Sequence, residues 1–264
     1  VELQTLCQSV VKIARNAGDF IRRESVRFDR SYVEEKGRNN LVSYVDKQAE
    51  QMIVEGLSAI LPEAGFIAEE GTGNCKEGGL NWVIDPLDGT TNFVHGLPPY
   101  AVSIGLIQGN EVVLGVVEEA FSGEYFYAVK GGGAWMGEKR LQVSVEQNLS
   151  KGLIATGFSY DNTQVDCTLA VLKQLLIQTH GFRRIGSAAV DLAYVAAGRF
   201  EAFYEKNLNP WDVAAGILLV KEAGGIVSDF YNGEDFLFGK EIVASCSLSL
   251  HKELLETIQI LRTN

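Results

Sequence analysis

Residues 3 to 21 place Leu3, Leu6, Val10, Ile13, Ala14, Ala17 and Ile21 at spacings of three and four. That period fits one face of a helix and predicts an amphipathic segment packed on a core. Residues 47 to 60 repeat the pattern and stop before Pro62, after a polar, turn-rich stretch from Asn39 to Asp46. Short apolar runs then take over. Phe66 to Glu69 and Trp82 to Asp85 predict strands, and Tyr100 to Gln108, Glu111 to Val117 and Glu124 to Val129 predict an antiparallel meander, with tight turns at Gly109-Asn110 and Ser122-Gly123. The second half alternates differently. Strands are predicted at 153–156, 202–205, 225–228 and 242–245, and helices at 167–179, 188–197, 210–223 and 248–261. Strands and helices mixed throughout predict a layered α+β or α/β sandwich, with layers of helices alternating with mixed or antiparallel sheets.

Composition adds limits to this picture. With 264 residues, 46% hydrophobic and 22% charged, and no Pro-rich, Ser-rich or single-charge run to mark a linker, the chain reads as one compact unit. Its approximate halves are 1–150, with the acidic turn and the meander, and 151–264. A net charge of -11 disfavours binding to nucleic acid or to anionic membrane surfaces and suits a protein that gathers carboxylates around divalent cations. Cys7, Cys75, Cys167 and Cys246 are scattered, without a CxxC pair, which points to reduced thiols in a cytoplasmic setting. No apolar run approaches the roughly 20 residues that span a bilayer, and the amino terminus lacks the apolar core of a signal peptide. Val1 in place of Met leaves open whether a short leader precedes it.

The chemistry concentrates at Asp85-Pro86-Leu87-Asp88-Gly89-Thr90-Thr91, where two carboxylates three residues apart follow an apolar strand and flank a proline turn. Such a turn can aim both at one hard cation and add the Leu87 carbonyl as an oxygen ligand. Gly89 permits close backbone approach, and Gly89 and Thr90 can open a short helix whose N–H groups suit a phosphate. Alone, the motif is also what a capped loop looks like, since Asp and Gly are common turn formers. Glu69-Glu70 at one strand end and Trp211-Asp212 at a helix start supply further acids at places where chains converge.

Taken together, the segments AEEG at 68–71, WVIDPLDGTTNFVHGLPPYAVSIG at 82–105 and PWDVAAGILLVKEAGG at 210–225 resemble the signature blocks of the inositol monophosphatase family, within the lithium-sensitive, Mg²⁺-dependent phosphatases. RRIGSAAVDLAYVAAGRFEAFYE at 183–205 is similar to the bacterial members. The resemblance implies a sandwich of the inositol-phosphatase and sugar-phosphatase kind. It also implies that Glu69, Asp85 and the Leu87 carbonyl hold a first Mg²⁺ and that Asp85, Asp88 and Asp212 hold a second, with a third, weaker ion near Glu69. Thr90 matches the threonine that orients the attacking water with Glu69, and Asp46 the acid that hydrogen-bonds it. Without the resemblance, Asp46 reads as a helix N-cap. Lys36 matches a mobile-loop lysine near the metals. Asp88, Gly89, Thr90 and Asp212 match positions around the phosphate, Gly186, Ser187 and Ala188 the wall of a polyol pocket, and Glu205 the acid that bonds a substrate hydroxyl.

The implied function is hydrolysis of a small phosphorylated polyol or sugar, above all inositol 1-phosphate, by a homodimer. Fructose 1,6-bisphosphate, nucleotide 3′-phosphate and histidinol phosphate are rival substrates within the superfamily. Nucleotide and histidinol relatives more often carry a lysine after DGT, where this chain has Thr91. The rival from another class is a noncatalytic interaction protein that keeps the fold, as some bacterial relatives act in transcription complexes. Two positions depart from the pattern: Ala68 and Asn207 stand where glycines are usual. Asn tolerates left-handed backbone well, and the change at Ala68, next to the first metal's acid, leaves the ligand residues themselves in place. His95 is expected to pack locally, His180 and His251 lack partners at ligand spacing, and Gly131-Gly132-Gly133 reads as a turn between strands.

Overall fold

A computed structural model describes residues 2–37, 40–158 and 165–260. Helix α1 (Leu3–Ser25) buries Leu6, Val10, Ala14, Ala17 and Ile21, the stripe predicted from the sequence. Helix α2 (Tyr44–Ile60) begins three residues earlier than its periodicity suggested. Ser43 caps it, and Asp46 is its third residue, reaching back to accept from the Ser43 N–H at 2.9 Å. Asp46 is therefore half of a capping box and not an N-cap. The stretch before it is also more ordered than a loop. β1 (Glu34–Gly37) and β2 (Asn40–Val42) form an antiparallel hairpin that the polar pattern did not announce.

Two mixed sheets carry the fold. The larger runs in sequence order through β3 (Gly65–Ala68), β4 (Leu80–Asp88), β5 (Ala101–Gln108), β6 (Glu111–Glu119), β7 (Glu124–Val129), β8 (Gly133–Met136) and β9 (Lys139–Arg140). Only its β3–β4 pair is parallel. The turn between β7 and β8 is the glycine cluster, with the Gly131 and Gly133 N–H groups donating to the Glu222 carboxylate at 2.7 and 2.8 Å. The smaller sheet is ordered β11-β10-β12-β14-β13, where β10 is Leu153–Thr156, β11 Gly181–Arg183, β12 Ala202–Lys206, β13 Ile226–Ser228 and β14 Glu241–Ser245. Its short strand β11 was not read from the sequence.

Helices α1 and α2 cover one face of the large sheet, and α5 (Ala188–Ala196) and α6 (Pro210–Glu222) fill the space between the two sheets. α4 (Val165–Gln178) and α7 (Leu248–Thr257) pack against the small sheet. The layering explains the run of buried positions along β4. Trp82 and Ile84 enter the core under α1 and α2, whereas Val83 enters the core shared with α5 and α6. Both faces are covered, so both alternating sets are apolar. α6 is buried at every position from Val213 to Val220 for the same reason.

Helix α6 lies unusually close to the sheet. Gly105 on β5 and Gly115 on β6 are cross-strand partners. A Cβ at Gly105 would stand 2.9 Å from the Ala214 Cβ, and one at Gly115 would stand 2.8 Å from the Ala215 carbonyl oxygen. Only glycine lets that backbone approach occur. Among the described residues no helix is long and apolar enough to cross a membrane, and the four cysteines form no disulfide.

Candidate functional site

Residues three apart on a regular strand point to opposite faces. Asp85 and Asp88 escape this because β4 carries one extra residue between them: Asp85 pairs with Ser103, and Asp88 with Ala101. The bulge falls at Pro86, which has no N–H to lose from the ladder. Both carboxylates thereby turn to the same side. Leu87 within the bulge is fully buried, and its N–H donates to Asp85 Oδ1 at 2.9 Å.

Asp212 arrives from the opposite layer. It occupies the first turn of α6, where its Oδ2 accepts from the Asn209 N–H at 2.6 Å. The Ser103 hydroxyl donates to the Trp211 carbonyl at 3.1 Å, so the strand partner of Asp85 also ties down the start of α6. One ligand oxygen from each of Asp85, Asp88 and Asp212 lies within 4.8 Å of the others. The Asp88 Oδ2 accepts from the Ser187 hydroxyl and the Ala189 N–H, both at 2.7 Å.

Glu69 follows β3 directly, and its N–H donates to the Ile84 carbonyl at 3.2 Å. The turn beyond it hangs on Glu50, a fully buried acid of α2 whose two oxygens accept from the Glu70 N–H at 2.8 Å and the Thr72 N–H at 3.0 Å. Ala68 pairs with Ile84 in the parallel β3–β4 ladder, a backbone that does not require glycine. Asn207 does hold a left-handed φ of 67°, as its glycine-like position predicted.

Gly89 caps the start of α3 (Thr90–His95) with a left-handed φ of 90°, which favours glycine, and an added Cβ would stand 3.1 Å from both the Gly186 and Pro99 carbonyl oxygens. The Thr90 hydroxyl lies 3.1 Å from Asp46 Oδ1 and 3.0 Å from the Leu87 carbonyl. Asn92 bridges to the other half of the chain, donating to the Ile185 carbonyl at 2.7 Å. His95, at the end of α3, is exposed and does not pack as expected. His251 joins no cluster of metal-ligating side chains among the described residues. It is buried between the Ser228 and Ser245 hydroxyls at 2.9 and 2.7 Å, and burial pushes it down to about 4.

A cavity of about 110 Å³ is lined by Asp88, Gly186, Ser187, Ala188, Glu205 and Asp212, so the predicted substrate-side residues on Gly186–Ala188 and Glu205 converge with two of the acids. Gly157, Arg184, Asp191 and Leu208 complete its wall, and none of these four was singled out in the sequence. A Cβ on Gly157 would stand 1.8 Å from Glu205 Oε1, so glycine there makes room for the carboxylate. Larger cavities lie elsewhere, among them clefts of about 570 and 600 Å³ beside Ile177 and Glu253 and beside Lys221 and Phe236. Neither contains the acidic cluster, so chemistry and not size selects the small cavity. Lys36 lies on β1, and its side chain is outside the described part of the structure.

The electrostatics are those of an anionic corner in need of a cation. Burial, then the charges of Glu69, Asp88 and Asp212, push Asp85 well above the usual carboxylate range. Burial pushes Asp88 up to about 6 against the hydrogen bonds from Ser187 and Ala189. Burial and the Asp88 charge raise Asp212 to about 8, and burial and the Asp212 charge raise Glu205 to about 8. Hard oxygen donors packed at this density fit a divalent cation, which relieves both the repulsion and the desolvation.

A model of the inositol monophosphatase family matches residues 2–263. The chain belongs to that family. Within the inositol monophosphatase family it is 43% identical over 263 residues to the Nus factor SuhB of Pseudomonas aeruginosa, covering 97% of each chain. It is 38% identical over 256 residues to the inositol-1-monophosphatase of Mesorhizobium japonicum, covering 96% of each. The crystal structure of the extragenic suppressor protein suhB from Bartonella henselae superposes with a TM-score of 0.91 at 37% identity, covering 97% of this chain and 98% of that one. The layered α+β architecture is thus the family's own. Its metal-dependent character agrees with the acidic corner of Asp85, Asp88 and Asp212.

Proposed function

We propose that this family member hydrolyses small phosphate monoesters with Mg²⁺, and that inositol 1-phosphate is its substrate. The observation that carries this reading is the convergence of Asp85, Asp88 and Asp212, three acids from two layers, to within 4.8 Å. Glu69, Asp85 and the Leu87 carbonyl form one ligand set, and Asp85, Asp88 and Asp212 a second that shares Asp85. Bound there, Mg²⁺ ions supply neutralisation of the phosphate dianion, a water of lowered pKa and stabilisation of the leaving alkoxide.

The protein residues provide aim. The Thr90 hydroxyl has one proton and two acceptors, Asp46 and the Leu87 carbonyl. Donating it inward turns the oxygen lone pairs of Thr90 outward, where they accept from a water that Glu69 also orients. Gly89 and Thr90 offer N–H groups to a phosphate without an intervening side chain. Gly186, Ser187 and Ala188 border the alcohol, and Glu205 accepts from one of its hydroxyls. The Mesorhizobium japonicum relative's name supports inositol 1-phosphate.

The test is phosphate release by the purified chain with Mg²⁺ from inositol 1-phosphate, fructose 1,6-bisphosphate, adenosine 3′,5′-bisphosphate and histidinol phosphate. The inositol ester should have the highest kcat/KM. A second reading, an interaction protein of the transcription machinery that retains the fold, draws support from the Nus factor name of the Pseudomonas aeruginosa relative. Failure to release phosphate from all four esters would favour that reading over hydrolysis.

A further inference from the structure

Among the described residues, three buried side-chain atoms have no hydrogen-bond partner: Trp82 Nε1, Glu118 Oε2 and Asp191 Oδ1. Of these, only Asp191 lines the cavity beside the acidic corner. Buried polar groups are nearly always satisfied, and an exception at a functional cavity calls for a ligand. Asp191 is 1% exposed, in the first turn of α5, four residues after the cap Ser187 whose hydroxyl holds Asp88. Its N–H is spent on the Ser187 carbonyl at 2.9 Å, so the helix fixes its place. The other buried acids nearby are anchored: Asp46 by Ser43, Glu50 by the Glu70 and Thr72 N–H groups, and Asp88 by Ser187 and Ala189.

Glu205 enters the same cavity from β12, in the space that Gly157 leaves open. We propose that Asp191 is a second residue that reads the alcohol, so that Asp191 and Glu205 together engage two neighbouring hydroxyls and select phosphate monoesters of vicinal polyols. The cavity is small, about 110 Å³, and of the four acids that line it Asp191 and Glu205 come from different elements, α5 and β12. Hydroxyls on adjacent carbons are the groups that satisfy two such acids within so short a reach. A hydroxyl that bonds Asp191 Oδ1 supplies the partner that the fold withholds, and an alcohol without it leaves that atom unsatisfied. This asymmetry is what makes a buried hydrogen-bonding group selective.

The inference rests on the hydrolase reading above. It is tested by kcat/KM on inositol 1-phosphate and on phenyl phosphate, which has no hydroxyl to offer, for the wild type, Asp191→Ala and Asp191→Asn. Removing one buried hydrogen bond to substrate should lower the inositol/phenyl ratio about 10-fold or more in Asp191→Ala. The loss of kcat/KM on phenyl phosphate should be the smaller of the two. Asp191→Asn keeps the shape and one carbonyl oxygen, and should retain part of the ratio. It also serves as the variant of record if the alanine form does not fold. An unchanged ratio, or equal losses on both esters, would overturn the role of Asp191 while leaving the hydrolase reading intact. Wild-type protein that hydrolyses neither ester would overturn both.

Discussion

Two groups of buried acids stand side by side in this protein and are treated in opposite ways. On α2, Asp46 accepts from the Ser43 N–H and hydroxyl and faces the Thr90 hydroxyl, and Glu50 accepts two backbone N–H groups. These acids are held by donors and serve as scaffolding. At the β4 bulge and the start of α6, Asp85, Asp88 and Asp212 each have an oxygen held by the scaffold, yet face one another. The first group is complete as folded. The second is complete only with a cation, and its raised pKa values record what the fold tolerates to keep it.

The sharpest way to break this comparison is Asp85→Asn. Phosphate release should fall by about 1,000-fold or more. The same substitution removes a crowded charge, so the metal-free melting temperature should rise and the gain on adding Mg²⁺ should shrink. Near-normal turnover would show that the corner is not the metal site. Thr90→Val should cost about 100-fold in kcat, the range for a lost proton-handling group, while calorimetry still finds Mg²⁺ stabilising the protein. If Mg²⁺ binding is lost as well, Thr90 belongs with the ligand scaffold and not with the water.

Glu50→Gln tests the scaffolding group. It presents an NH₂ where a backbone N–H needs an acceptor, so about 1–2 kcal/mol of stability should go. Activity should stay within roughly 10-fold, measured beside denaturant midpoints.

The smallest effect is on pH. Asp88, Asp212 and Glu205 move from ordinary values of 3.8, 3.8 and 4.5 to about 6, 8 and 8 in the folded, metal-free chain. Between those limits the folded state binds more protons than the unfolded one, so the stability these groups contribute is present below pH about 4 and is lost as pH rises toward 8. Melting temperature followed over that window in EDTA should show this loss superimposed on the rest of the chain's titration. Saturating Mg²⁺ should flatten it, and identical profiles with and without Mg²⁺ would contradict a cation at these acids.

Much of this was legible in the chain because the informative features are local. The stripe of α1, the β5–β7 meander and the paired acids around Pro86 each lie within about thirty residues. What the sequence could not display was how distant segments meet. Glu50 looks like any acid on a helix, and its task appears only when the Glu70–Thr72 turn folds over it. Asp191 sits within an apolar helical run that does not show which cavity it borders, and Gly157 is informative only beside Glu205. Asp46 was misplaced by one function of the same motif, since both ends of a capping box are polar and short. A signal did exist for that one: Ser43 followed three residues later by Asp46.

The contact of α6 with Gly105 and Gly115 has an implication for inherited variation. Because an added methyl group would meet the Ala214 Cβ at Gly105 and the Ala215 backbone at Gly115, no rotamer change can absorb it. A substitution at either glycine would shift the whole helix and take Asp212 out of register with Asp85 and Asp88. A mutational scan should therefore find these two positions as intolerant as the acids, although neither touches metal, phosphate or alcohol.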